Sequence, residues 1–225
     1  MFRLPLLLLV PSLFLFLSCE KNRYTLKGTI SCDNYDGDTV FLRQYSNDTL
    51  LNVASAVIKD GGFEFEGEAS DPYVGGLYVS EVLIMPLVVE KGVIDVVLSD
   101  EDATVKGTSL NDAMLEYLDR MDGYKKEVAD VSRMKARLIM DGVDADEADR
   151  VVEQAFVRLN VEMEVYINNF IKNHYNDIVG PFVFRQWYGH MLYPMSSSKA
   201  KELIENAPDF FRQHEYVKKV VQDGE

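Results

Sequence analysis

Thr104-Val105-Lys106-Gly107-Thr108-Ser109-Leu110-Asn111-Asp112-Ala113-Met114 is where the chain changes its repeat. Before Gly107, apolar and polar residues alternate in short runs broken by turn residues. After it, apolar residues return every three or four positions. A period of two puts alternate side chains on one face of a strand, whereas a period near 3.5 lines them along one stripe of a helix. The chain is therefore read as α+β: an antiparallel β-sandwich over 24–107, followed by a helical region over 108–225.

Backwards from Gly107, Thr104–Lys106, Val93–Leu98, Leu87–Glu90 and Gly76–Val82 read as strands, with Lys91-Gly92 as a turn. Phe63-Glu64-Phe65-Glu66-Gly67 alternates strictly after the turn Asp60-Gly61-Gly62, and Leu51–Lys59, Thr39–Tyr45 and Tyr24–Cys32 complete the series. No helical run interrupts them, so crossovers are not expected, and a sandwich or open barrel follows. Forwards, Leu110, Met114, Tyr117, Met121, Tyr124, Val128 and Val131 form the seam of a long helix, with Leu138 a heptad further on. Past the break at Asp141-Gly142-Val143, Asp144 and Glu147 make a capping-box variant. The stripe Val152, Phe156, Leu159, Met163, Tyr166 and Phe170 then predicts an antiparallel helical hairpin near 109–175. Shorter helices are expected at Ile178–Met191, Ser198–Asn206 and Pro208–Val221, the last with Pro in its first turn.

The N-terminus carries a different message. An apolar run from Leu4 to Leu17 follows Arg3 and ends in Ser18-Cys19. Its length of about 14 residues is short of the roughly 20 a spanning helix needs and suits a cleaved signal. The thiol of Cys19 could take a diacylglycerol, so residues 1–18 are read as a lipoprotein signal and 19–23 as the lipidated cysteine and a short tether. No acidic run follows Cys19, and an outer-membrane lipoprotein facing the periplasm is expected. Of 2 cysteines, lipidation uses one. Cys32 alone cannot form an intrachain disulfide, and in its strand-like run it reads as a small buried hydrophobe.

Charge and motifs narrow the function. With 37 acidic against 23 basic residues, the chain has a formal charge of −14, which argues against nucleic-acid and electrostatic membrane binding. The 3 histidines, His174, His190 and His214, make no HxxxH or HxH pair, and there is no nucleophile elbow or P-loop. Asp33, Asp36 and Asp38 around Gly37 lack the ligand order of a calcium loop and read as a turn. Asp144, Asp146, Glu147 and Asp149 suit a helix start. No cofactor or metal site is expected.

Several residues could contact something outside the chain. Phe182–His190 contains the lone Trp187 among other rings, which suits either a peptide or glycan groove or the seam where helices dock on the sandwich. Thr39 in Asp38-Thr39-Val40 and Thr49 in Asp48-Thr49-Leu50 fit a short O-glycosylation pattern, or are simply strand threonines. Met134 and Ile139 lie off the helical seam near the hairpin turn, and an open apolar tip there would engage a partner or a second copy of the chain.

Three stretches, taken in order, resemble the N-terminal region of thioredoxin-fold lipoproteins of the thiol:disulfide interchange and peroxiredoxin-like type from Gram-negative anaerobes. They are Lys59–Gly67 with Asp71-Pro72, Pro86–Ile94 around Glu90 and Gly92, and Lys106–Asp112 around Gly107 and Asn111. The resemblance implies a β-sandwich domain of unknown function followed by helices, in the cell envelope. The chain reaches Gly224-Glu225 about where the thioredoxin fold would begin, so no catalytic cysteine carries over. The expectation is a non-enzymatic envelope lipoprotein that presents a binding surface to a protein or glycan. The alternative is an accessory subunit supplying this domain in trans to a thioredoxin-fold partner.

Overall fold

A computed structural model describes residues 22–31, 35–46, 49–100, 102–189 and 198–223. Cys19, Cys32, Asp33 and His190 lie outside these residues, so the readings placed on them have no structural counterpart below.

The first half forms two four-stranded sheets. β1 (Arg23–Ile30), β4 (Gly62–Glu68), β7 (Gly92–Leu98) and β8 (Ala103–Lys106) make one, in the order β4-β1-β7-β8. β2 (Thr39–Ser46), β3 (Thr49–Val57), β5 (Tyr73–Val79) and β6 (Val82–Val89) make the other, in the order β3-β2-β5-β6. Period-two burial runs through β1 and from Val93 to Leu98 in β7, where Leu26, Ile94 and Val96 point into the space between the sheets with Leu42, Leu77 and Leu87. Full burial of each such side chain contributes roughly 1.5–3 kcal/mol.

Phe63-Glu64-Phe65-Glu66-Gly67 has a local explanation. Gly28 pairs with Phe63, and Gly67 with Tyr24. A Cβ on Gly28 would come within 1.9 Å of the Phe63 ring, and one on Gly67 within 2.7 Å of the Tyr24 ring. Each ring lies over a backbone that only glycine leaves bare. One pairing departs from expectation. β1 and β7 run parallel, from Tyr24 opposite Gly92 to Ile30 opposite Leu98, while the other pairings are antiparallel. Alternation reports which face a residue takes but not which distant strand lies beside it, and the intervening chain makes its return through the second sheet rather than a helix.

The helical half begins with α1 (Ser109–Met140) and α2 (Ala145–Asn173). Asp144 caps α2, its carboxylate accepting from the Asp146 and Glu147 N–H groups. α3 (Val179–Tyr188), α4 (Ser198–Glu205), α5 (Asp209–Gln213) and α6 (Glu215–Asp223) follow. The expected helix over Pro208–Val221 is two, because His214 adopts an extended conformation with ψ 138°, and Pro208 caps α5 rather than entering it. The helix expected to reach Met191 ends at Tyr188. Met114, Ile171, Phe184 and Phe211 build a second core, which Val74 and Val88 join from the outer face of the second sheet. Among the described residues, no helix is long and apolar enough to cross a membrane.

What seats α1 on that sheet is Asn111, which is fully buried. Its side-chain oxygen accepts from the Val88 N–H at 2.8 Å and its amide donates to the Val88 carbonyl at 2.7 Å. The amide group thus substitutes for a neighbouring strand at the edge of β6. Beside it, the Glu90 carboxylate accepts from the Leu110 N–H at 2.9 Å, satisfying an orphan donor at the helix start.

Candidate functional site

Because α1, α3 and α6 cover only part of the second sheet, a cleft of about 620 Å³ opens between the sheet's outer face and the helices. Its floor follows from register. Arg43 lies opposite Gly76, Phe41 opposite Tyr78, and Tyr45 opposite Leu50, so these residues share the outward face. Gly76 is bare because a Cβ there would meet the Tyr78 ring at 2.7 Å and Leu83 at 2.9 Å. The wall comes from Tyr117, Leu118 and Met121 of α1, Phe182 and Arg185 of α3, and Tyr216 of α6. The volume falls in the range typical of small-molecule sites, about 300–1,000 Å³.

Arg43 is 7% exposed. Its guanidinium makes a two-pronged pair with Glu81 at 2.8 and 2.9 Å, and its Nε donates to the Asn52 side-chain oxygen at 2.8 Å. It also lies 4.7 Å from the Phe41 ring centroid and 4.9 Å from that of Tyr78. The hydrogen bonds and charge of Arg43 hold the Glu81 carboxyl below its ordinary range. Arg43 is therefore a strut of the floor, its charge already matched.

Arg185 is different. Its guanidinium sits between two rings, 5.1 Å from the centroid of Tyr45 and 5.0 Å from that of Tyr216. Among the described residues it makes no salt bridge. Lys125, also on the cleft, makes none either. Burial pushes the Tyr117 hydroxyl up to about 12 and raises that of Tyr216, so both stay neutral donors. Among the described residues, no aspartate or glutamate lines the cleft. The site can bind, through rings, apolar side chains and two cations, but no nucleophile is paired with a base there.

The residues singled out from sequence do not converge. Trp187 is half-buried and packs on the helical core, while its neighbours Phe182, Arg185 and Gln186 face the cleft. Thr39 is half-buried at the start of β2 and Thr49 exposed at the start of β3. Met134 is half-buried and Ile139 is 46% exposed, both near the far end of α1. His174 bonds Asp177 at 2.8 Å, and its ring centroid is 4.5 Å from that of Phe170. Asp36 and Gly37 form a turn into β2, with Gly37 at φ +92°. The signals that would have pointed to the cleft are an arginine inside the apolar run Thr39–Tyr45 and the doublet Gly75-Gly76 inside a strand.

Residues 24–114 match the profile of a family described as a domain of unknown function (DUF4369). The match passes Gly107 and ends at Met114, so it takes in the first turns of α1 and the Asn111 contact with Val88. No curated protein and no solved structure matches the chain.

Proposed function

We propose that this chain is a non-enzymatic, lipid-anchored binding module of the cell envelope, facing the periplasm, with the cleft between second sheet and helices as its ligand site. The observation that carries the reading is the ring-lined cleft itself, roomy enough for a ligand and supplied with Arg185, a cation with no carboxylate partner among the described residues. The Ser18-Cys19 signal supports the anchor. The ordered motifs shared with the N-terminal region of thioredoxin-fold lipoproteins support the compartment. Leu50 is exposed at the cleft mouth on an edge strand, where tryptophan suits the backbone and fills the space. The protein solubilised from envelopes should therefore show a bound mass by native mass spectrometry that Leu50→Trp lacks. An identical spectrum for both would overturn the cleft as ligand site. Cys19→Ala should abolish fatty-acid labelling, and undiminished label would overturn the anchor.

The accessory reading, in which the chain serves a thioredoxin-fold partner in trans, is supported by the same motifs. Two of them, at Glu90 and Asn111, serve the one seam between sheet and α1. It would be favoured if a thioredoxin-fold protein co-purified with wild type but not with Leu50→Trp.

A further inference from the structure

We infer that the cleft takes a small organic anion: a flat apolar or aromatic body carrying one oxyanion group, which docks on the edge of the Arg185 guanidinium. The inference rests on the cleft being the ligand site and adds the chemistry of what enters it.

Charge is the first ground. Acidic residues outnumber basic ones 37 to 23 in this chain, yet among the described residues the cleft is lined by Arg43, Lys125 and Arg185 and by no carboxylate. Arg43 is neutralised by Glu81, and Lys125 lies close enough to Asp122 to help lower its carboxyl, which leaves Arg185 as the cleft cation with no carboxylate partner among the described residues. In an acidic protein, such a concavity offers an anion an attractive field rather than the general repulsion.

The second ground is the posture of Arg185. With tyrosine rings near 5 Å from its carbon, the guanidinium is held by cation–π contact. Its N–H donors lie in its plane, in a fork that matches an oxyanion and needs little further ordering to bind one. A structural arginine would have its carboxylate in place, as Arg43 does. Arg185 has two rings and no salt bridge among the described residues.

Shape supplies the body of the ligand. The remaining surface is apolar side chain and ring, among them Leu118, Met121, Tyr78 and Phe182, and the volume of about 620 Å³ suits a single drug-sized molecule. Slots between aromatic side chains favour flat bodies.

The test uses two fluorescent probes that differ by one charge: 8-anilinonaphthalene-1-sulfonate and its neutral counterpart N-phenyl-1-naphthylamine. Both should bind wild type, and Leu50→Trp should weaken both. Arg185→Gln should weaken the sulfonate about tenfold or more while leaving the neutral probe within about twofold, since a charge-assisted contact is lost and the apolar slot remains. Lys125→Gln, on an exposed position of α1 and harmless to the fold, should weaken the sulfonate by a smaller factor of about two to three. Equal effects of Arg185→Gln on the two probes, or none on either, would overturn the anion assignment while leaving the cleft as a site. If neither probe binds, or Leu50→Trp changes neither, the cleft is no ligand site and both readings fall.

Discussion

The sandwich and the helical hairpin solve the same packing problem to different degrees. Between the sheets, β1 and β7 bury their inward apolar side chains, and the space is filled from both sides. Along α1 the fully buried residues are Asn111, Met114, Tyr117 and Tyr124, all in its first half, and none follows from Lys125 to Met140. At 32 residues α1 is about 48 Å long, more than the sheet and later helices can cover. The half near the sheet belongs to the core. The far half is held by its partner helix, by caps and by surface ion pairs such as Lys135–Asp149. Exposed pairs of that kind contribute at most about 1 kcal/mol each. A long amphipathic pattern thus says that a helix exists, but not how much of it is load shared with the rest of the fold.

The largest effect should come where the two regions meet. Asn111→Ala removes both partners of the Val88 backbone and leaves a buried N–H and C=O unpaired, at about 1–3 kcal/mol for each group. We expect a loss of roughly 2–5 kcal/mol in urea denaturation. Leu138→Ala, at a half-buried seam position of the far half, should cost no more than about 1–2 kcal/mol. Comparable losses in the two variants would erase the distinction. Gly28→Ala should damage the sandwich as sharply as Asn111→Ala damages the junction, because its methyl would overlap the Phe63 ring.

Asn111 also marks the limit of what could be read in advance. The hairpin and most strands were legible because each depends on a local repeat. The stretch Gly76–Val82, which reads as one strand, instead spans the turn at Ser80-Glu81 that separates β5 from β6, and Leu87–Glu90 takes in only the end of β6. Asn111 stands in a motif that leads into the first helix, yet its side chain's partner is Val88 on a strand edge, 23 residues back. The parallel pairing of β1 with β7 was hidden for the same reason. The cleft was the least legible feature, since its lining runs from Arg43 to Tyr216 and draws on both halves. Trp187 attracted attention as the sole tryptophan, but a helix turns about 100° per residue, so Arg185 and Gln186 face the cleft while Trp187 faces the helical core.

A smaller effect of opposite sign is expected between α1 and α2. The Tyr166 hydroxyl is buried without a hydrogen-bond partner among the described residues. Tyr166→Phe keeps the ring beside Tyr124 and Phe170 and removes the unmatched group. It should be neutral or stabilise by up to about 1 kcal/mol. A clear loss of stability would mean that the hydroxyl is satisfied in solution.

Acid should loosen the helical half before the sandwich. Burial pushes the His214 imidazole below its ordinary value of 6.5. Its Nδ1 accepts from the Tyr216 N–H at 3.2 Å, which requires an unprotonated nitrogen. The unfolded chain binds a proton at about 6.5, whereas the folded chain does so only at lower pH. Stability from this site is therefore complete above 6.5 and lost as pH falls through the depressed value. Between pH 7 and about 5.5, before most carboxylates titrate, the melting temperature should fall in wild type and fall less in His214→Asn, which keeps an acceptor for the same N–H. Identical slopes would remove His214 from the account.

The smallest effect is expected at the far end of the hairpin, and it cuts most directly between the two regions. Ile139 is 46% exposed, Met140 is 85% exposed, and Met134 is half-buried. Val157, Val161 and Val165 place a further exposed apolar stripe on α2. Glutamate at Met134 and Ile139 would forfeit little burial, and both positions lie on a helix that tolerates glutamate. Their position near the C-terminus of α1 makes added negative charge mildly unfavourable to the helix dipole. Met134→Glu with Ile139→Glu should therefore keep a single cooperative transition, with a shift of no more than about 1 kcal/mol. The same double variant examined by sedimentation tells whether the tip serves association, since a tip that joins two copies would lose its dimer signature without losing its fold. Unfolding of the double variant would instead place these residues in the core, and the contrast between a closed sandwich and an open-ended hairpin would no longer hold.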